Sequence, residues 1–157
     1  MKNNQKVRIG CASAFWGDTS TAAKQLVEKG DLDYLVFDFL AEVTMSILAR
    51  AKLKDSDKGF AGDFLTQVGP LLPTIKQKGI KVLTNAGGIN PTSCRTMLEK
   101  AAKKEGIDLK IGIVTGDDLI PELTKVEKFG ITELDTGDPF PKSCLSINAY
   151  LGAPGLV

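Results

Sequence analysis

Ile80-Lys81-Val82-Leu83-Thr84-Asn85-Ala86-Gly87-Gly88-Ile89-Asn90-Pro91 is the stretch that decides the fold. Ile80, Val82 and Leu83 make a short apolar, partly β-branched run, which reads as a strand. Thr84 and Asn85 end it. Gly87-Gly88 frees the backbone for a tight or left-handed turn. Asn90 is a helix cap and Pro91 fits the first helical position, where no N–H is needed. Strand, glycine turn and capped helix follow one another within twelve residues, which is the start of a βα unit.

The same unit recurs on either side. Val7-Arg8-Ile9-Gly10 reads as a strand buried on both faces around Val7 and Ile9. Asp18, Thr19 or Ser20 then caps a helix ending near Lys29, with Gly30 as its stop. Tyr34 to Phe39 is nearly all apolar, as a parallel strand covered on both sides should be. A helix follows from about Ala41 to Ala51, with Val43, Ile47 and Leu48 inward. Lys52 to Gly59 reads as a charged, mobile surface loop. Phe64, Leu65, Val68, Leu71, Leu72 and Ile75 keep helical spacing, but Gly69-Pro70 and Pro73 lie within it, so a kink or break is expected. After Pro91 a helix runs to about Lys104, with Cys94, Met97, Leu98 and Ala101 inward. Leu109 to Val114 reads as a fourth strand, and Leu119 to Lys128 as its helix. From Ile131 the pattern fails, leaving an acidic irregular stretch in which Ile147 to Gly152 can start one more element.

Four βα units in succession imply right-handed crossovers and a parallel sheet. The expected fold class is α/β: a three-layer, mainly parallel open sheet of Rossmann-like type, truncated at its C-terminal end. It would form a single domain over residues 1–157. Four polar turns would then share one edge of the sheet, at the carboxyl ends of the strands, where ligands sit in open α/β sheets.

Composition narrows the function. The net charge is +1 and there is no basic run with interleaved aromatics, so no nucleic-acid partner is expected. No apolar run approaches the roughly 18 residues of a membrane span, and the polar N-terminus is not a signal peptide. Three separated cysteines, Cys11, Cys94 and Cys144, suit a reducing, cytoplasmic setting. The chain has no histidine. A Ser-His-Asp or Cys-His relay therefore cannot be built within it, and acid–base work falls to carboxylates, lysine, tyrosine, cysteine or water.

The carboxylates with the best claim are Asp38, at the end of the second strand, Glu42 one turn later, and Asp117. Each can serve as a general base, or share a hard divalent cation through oxygen. Local structure competes for all three: Asp38 can bond neighbouring N–H groups, Glu42 can be solvated, and Asp117 can cap a helix. Asn85, Gly87, Gly88 and Asn90 are candidates for an anionic or carbonyl group, through side-chain amides and the helix N-terminus. The alternative is a turn that only connects strand to helix. Ser13, Phe15, Gly17 and Asp18 from the first loop complete the substrate-binding candidates, with Thr115, Gly116 and Asp118 from the fourth. Phe15 and Trp16 fit either a ligand wall or the core. Gly10 to Gly17 lacks the G-x-G-x-x-G spacing, so dinucleotide binding is disfavoured. Cys11 without a histidine is better suited to packing than to attack.

Gly10 to Asp18, Asp33 to Glu42, Thr84 to Pro91, Val114 to Asp118 and Asn148 to Gly152 together resemble the AtuA-like family, named for acyclic terpene utilisation. The resemblance runs in order along nearly the whole chain. It implies a part in bacterial breakdown of citronellol- and geraniol-type terpenes. It also implies hydratase or lyase action on branched acids or acyl-CoA esters, with CoA as part of the substrate. Family members are longer than this chain, so contact with a C-terminal region or with a second copy is expected. Two rival readings are a non-catalytic ligand- or partner-binding subunit and a nucleotide-binding domain.

Overall fold

The computed structural model describes residues 6–40 and 42–156. The expected helix start at Ala41 lies outside them, as does the polar run before Lys6. The chain forms two compact units, Met1–Ile111 and Gly112–Val157, each described by itself.

The first unit is an α/β fold on a three-stranded parallel sheet in the order β1-β2-β3. The strands are β1 (Ile9–Ser13), β2 (Tyr34–Phe37) and β3 (Lys81–Thr84). The helices are α1 (Ala22–Lys29), α2 (Glu42–Lys54), α3 (Asp63–Val68), α4 (Leu72–Lys78) and α5 (Pro91–Lys104). This is the Rossmann-like parallel open sheet expected from the repeated βα pattern. Leu35 and Phe37 of β2 are fully buried, and Phe39 just beyond the strand is too. Phe37 stacks on Phe39 at 5.6 Å between ring centroids, and Phe64 of α3 meets Phe37 edge-on at 5.3 Å. Edge-to-face and offset aromatic contacts add to the burial of large apolar area. Gly10 is buried where α1 crosses β1, and a Cβ there would lie 2.8 Å from Leu32.

The long proline-containing helical pattern breaks as its sequence requires. α3 stops at Val68, a 3₁₀ turn spans Gly69–Leu71 with Pro70 inside it, and α4 begins at Leu72 with Pro73 in its first turn. The apolar spacing survives the break: Phe64, Val68, Leu71, Leu72 and Ile75 are all buried. Gly79 closes α4 at φ 68°, the left-handed conformation a helix C-cap favours.

Several expectations are corrected. Val7 and Ile9 are not buried; they are 58% and 64% exposed, because β1 is an edge strand whose covered face carries Gly10 and Ala12 instead. On α2, Val43 and Ile47 face water, while Leu48 and Ala49 are buried. Met97 of α5 is likewise exposed. The start of α1 has no side-chain cap: Asp18 accepts from Ala14 N–H and Thr19 Oγ1 from Thr21 N–H, so both serve the preceding loop. The segment from Lys52 to Gly59 is not a free loop. Its first residues finish α2, and its tip is tied to Asn90. Finally, Leu109 to Val114 forms no strand. A strand exists through its ladder, and this run pairs with no strand of the sheet.

The second unit has a 3₁₀ turn at Ile120–Glu122 and one short helix, α6 (Leu123–Lys128). A further 3₁₀ turn spans Pro154–Leu156, and isolated antiparallel bridges join Asp118 with Asn148 and Thr132 with Pro139. Ile147 to Asn148 thus does begin an element, but only a bridge. Among the described residues, no helix is long and apolar enough to cross a membrane.

Candidate functional site

Parallel register sets the site of the first unit. Ser13 lies opposite Phe37, and Phe37 opposite Thr84, so the three strands end level. The loops beginning at Ala14, Asp38 and Asn85 therefore leave the sheet side by side. The register of β1 shifts between Cys11 and Ser13. Such irregularities re-aim a strand end, and here the shift brings Ser13 to Asp38. Asp38 N–H donates to Ser13 O at 3.1 Å, and Ser13 Oγ donates back to Asp38 O at 3.2 Å. The Ser13 hydroxyl is consumed in this exchange, and the residue is 3% exposed.

Asp38 meets Asn85 directly. Asn85 Nδ2 donates to Asp38 Oδ1 at 2.7 Å, while Asn85 Oδ1 accepts Phe39 N–H at 2.8 Å. Leu40 N–H also reaches Asp38 Oδ1, at 3.3 Å. Both side chains are open to solvent. Two residues 47 positions apart are thus joined at the carboxyl edge.

The glycine turn is spent on itself. Ala86 N–H donates to Thr84 Oγ1, Gly88 N–H to Asn85 O, Ile89 N–H to Gly59 O and Asn90 N–H to Gly87 O. Among the described residues, only Gly87 keeps an uncommitted amide N–H within Ala86 to Asn90. Gly88 sits at φ 52°, and a Cβ there would lie 2.4 Å from Leu48 Cδ1 and 2.7 Å from Gly59 O. Its role on this geometry is close approach to α2 and the neighbouring loop. Asn90 is buried and saturated. It accepts from Ser93 N–H as the cap of α5 and donates to Ser56 O at 2.8 Å and Lys58 O at 2.7 Å. Lys52 Nζ adds a bond to Ile89 O.

In the first loop, Asp18 closes the turn on Ala14, Gly17 takes φ 92°, and the structure separates the two aromatics. Trp16 packs on the core, whereas Phe15 is 59% exposed. Glu42 is exposed in the first turn of α2 and is not joined to Asp38 by any hydrogen bond. Cys11 is exposed, and its thiol donates to Ser13 O. Cys94 is buried, which pushes its thiol up to about 11.

In the second unit Asp117 repeats the pairing. Asn148 Nδ2 donates to Asp117 Oδ2 at 3.0 Å, and Ala149 N–H donates to Asp117 O at 2.8 Å. Asp118 Oδ1 accepts Ile120 N–H, which is a local turn cap, and Gly116 takes φ 111°. Thr115 is exposed. Asn148 is the partner that reading carboxylates alone misses. Its signal was the Asn148-Ala149-Tyr150 segment, 31 residues from Asp117.

Among the described residues, no three His, Cys, Asp or Glu side chains converge as a metal-binding group. Two open depressions lie elsewhere, one of about 560 Å³ beside Cys11 and Lys29 and one of about 420 Å³ at the end of α5. Neither touches Asp38 or Asn85. Gln25 and Lys29 line the first and Glu99, Lys103 and Asp108 the second, but both hollows are open and lie away from the level strand ends, so the hydrogen-bonded sheet edge is the better candidate.

No curated protein and no solved structure matches the chain. One sequence family does: Acyclic terpene utilisation family protein AtuA matches residues 7–157. That span contains every element and both Asp–Asn pairs described above. By it, the chain belongs to the AtuA family, and its setting is acyclic terpene utilisation.

Proposed function

We propose that the carboxyl edge of the sheet, centred on Asp38, is the ligand site of an enzyme of acyclic terpene and branched-acid breakdown. The reaction is hydratase- or lyase-type, adding or removing water at a carboxylate or acyl-CoA substrate. The observation that carries this reading is the Asp38–Asn85 contact. It presents a solvent-accessible carboxyl group at the place where open α/β sheets bind ligands. With no histidine in the chain, a carboxylate is the natural group to take a proton from water near neutral pH. Phe15, exposed on the first loop, offers an apolar wall for a branched hydrocarbon tail. Asp117, paired with Asn148, is the second proton-handling candidate. Glu42, exposed in the first turn of α2, is a further carboxylate candidate.

The test is loss of the conjugated-thioester absorbance when the protein is mixed with a branched enoyl-CoA. Asp38→Asn should reduce the rate by at least about 100-fold, the usual size of a general-base effect. Its melting temperature should stay within a few degrees of the parent. A rate that survives Asp38→Asn and Asp117→Asn together would remove both carboxylates from the mechanism.

A second reading is a non-catalytic subunit that binds a ligand or partner. The inward use of the glycine-turn amides favours it, because the turn offers few donors to hold a substrate. Thermal shift separates the readings. Stabilisation by the acyl-CoA without turnover supports the binding subunit, and stabilisation by ATP or NAD supports a nucleotide-binding domain.

A further inference from the structure

We infer that Asn85 is a positioning residue for Asp38, and that its amide fixes Asp38 Oδ2 as the oxygen that receives the proton. This rests on the reading of Asp38 as the proton-moving group. Both polar atoms of the Asn85 side chain are engaged within the protein, its oxygen by Phe39 N–H at 2.8 Å and its nitrogen by Asp38 Oδ1 at 2.7 Å. The amide has one workable orientation. Turning it over would set its NH₂ against the Phe39 N–H and its oxygen against a carboxylate.

Phe39 is itself immobile. It is 1% exposed and stacks on Phe37, and Phe64 crosses it at 6.4 Å. Packing in the core therefore fixes a backbone N–H, which fixes an amide, which fixes a carboxylate. From the other side, Ser13 holds the Asp38 backbone by two hydrogen bonds. Leu40 N–H adds a second donor to Oδ1. Oδ1 is thereby saturated, whereas Oδ2 takes no bond from any described residue. An exposed aspartate normally samples several rotamers. This one is held at one oxygen and open at the other, which is what a general base requires of its support.

Exchanging the pair tests the inference. Asn85→Asp places two carboxylates in contact. Its melting temperature should fall by roughly 2–4 °C at pH 7, as for a loss of one modest interaction. The deficit should shrink near pH 4, where one shared proton restores the donor. The double variant Asp38→Asn with Asn85→Asp restores a donor–acceptor pair between the two side chains and keeps an oxygen facing Phe39 N–H, at the loss of the weaker Leu40 N–H bond, whose acceptor becomes the new NH₂. Its melting temperature should return towards the parent at both pH values, while enoyl-CoA hydration stays lost because the carboxylate has moved to the neighbouring strand end. Asn85→Ala should lower kcat by about 10- to 100-fold with little change in KM, since misplacing a base by about 1 Å costs that much. A raised KM with kcat preserved would make Asn85 a ligand contact and overturn the inference. A pH-independent deficit in Asn85→Asp would show that the pair does not form. Absence of hydration by the parent protein would instead remove the role given to Oδ2, whatever the melting data show.

Discussion

Asp33 takes its hydrogen bonds from one residue. Arg8 donates its backbone N–H at 2.7 Å, and its guanidinium reaches both carboxylate oxygens at 3.3–3.4 Å. These bonds hold Asp33 below the usual carboxylate range, first through the Arg8 side chain and then through its backbone N–H. A depressed folded-state pKa stabilises above the unfolded value and ceases to do so as pH falls through the folded value. Arg8→Gln should therefore melt earlier than the parent at pH 7. The gap between the two should close below about pH 4, where Asp33 protonates in the unfolded chain and then in the folded one. Melting curves from pH 3 to 8 check this, and a gap that stays constant would dissociate Asp33 from the effect. The pair is exposed and Arg8 also meets Asp31, so the expected gap is small, as for surface ion pairs generally.

Asn90 shows how one residue can serve an element rather than a ligand. It caps α5 and ties down the loop after α2 with the same side chain. Asn90→Ala would remove the cap of α5 and the two bonds to the Ser56 and Lys58 carbonyls, at about 1–2 kcal/mol, the usual range for a lost helix cap. Urea titration should show that loss, and proteolytic cleavage near Asp57 should quicken as the loop is released. Gly88→Ala should cost as much or more. The new methyl meets Leu48 and the Gly59 carbonyl, and φ 52° strains any L side chain. If Gly88→Ala is as stable as the parent, the close approach of the turn to α2 is not a constraint on the fold. At the same scale, Phe37→Ala removes the ring shared by Phe39 and Phe64 and should cost about 3–5 kcal/mol.

Across the whole molecule, burial is uneven. The first unit holds nearly all of the buried apolar side chains, whereas among the described residues of the second only Val126 is buried. Regions with few buried contacts open at low free energy. Amide hydrogens of Leu35 to Phe37 should be the slowest to exchange, and those of residues 130–153 should exchange early. Comparable protection in the two would mean that the second unit has a core of its own beyond Val126.

Local physics was legible along the chain. Apolar runs marked β2 and β3, Asn90-Pro91 marked the start of α5, and the prolines near residue 70 marked the break between α3 and α4. Those features depend on the conformational limits of single residues, which neighbours in space do not change. The absence of histidine likewise fixed which groups can move a proton. Which face of an element is buried, and where a polar side chain spends its hydrogen bonds, were decided by tertiary structure alone. Ile9 and Val43 look like core in sequence and are exposed, because burial depends on what crosses a strand or helix. Leu109 to Val114 has the residues of a strand and no ladder. Asn85 and Asn90 are the same amide five residues apart, yet one supports a carboxylate at the rim and the other is sealed inside the loop packing. A donor's role is set by the acceptor that folding brings within 3 Å, and no spacing in the sequence encodes that.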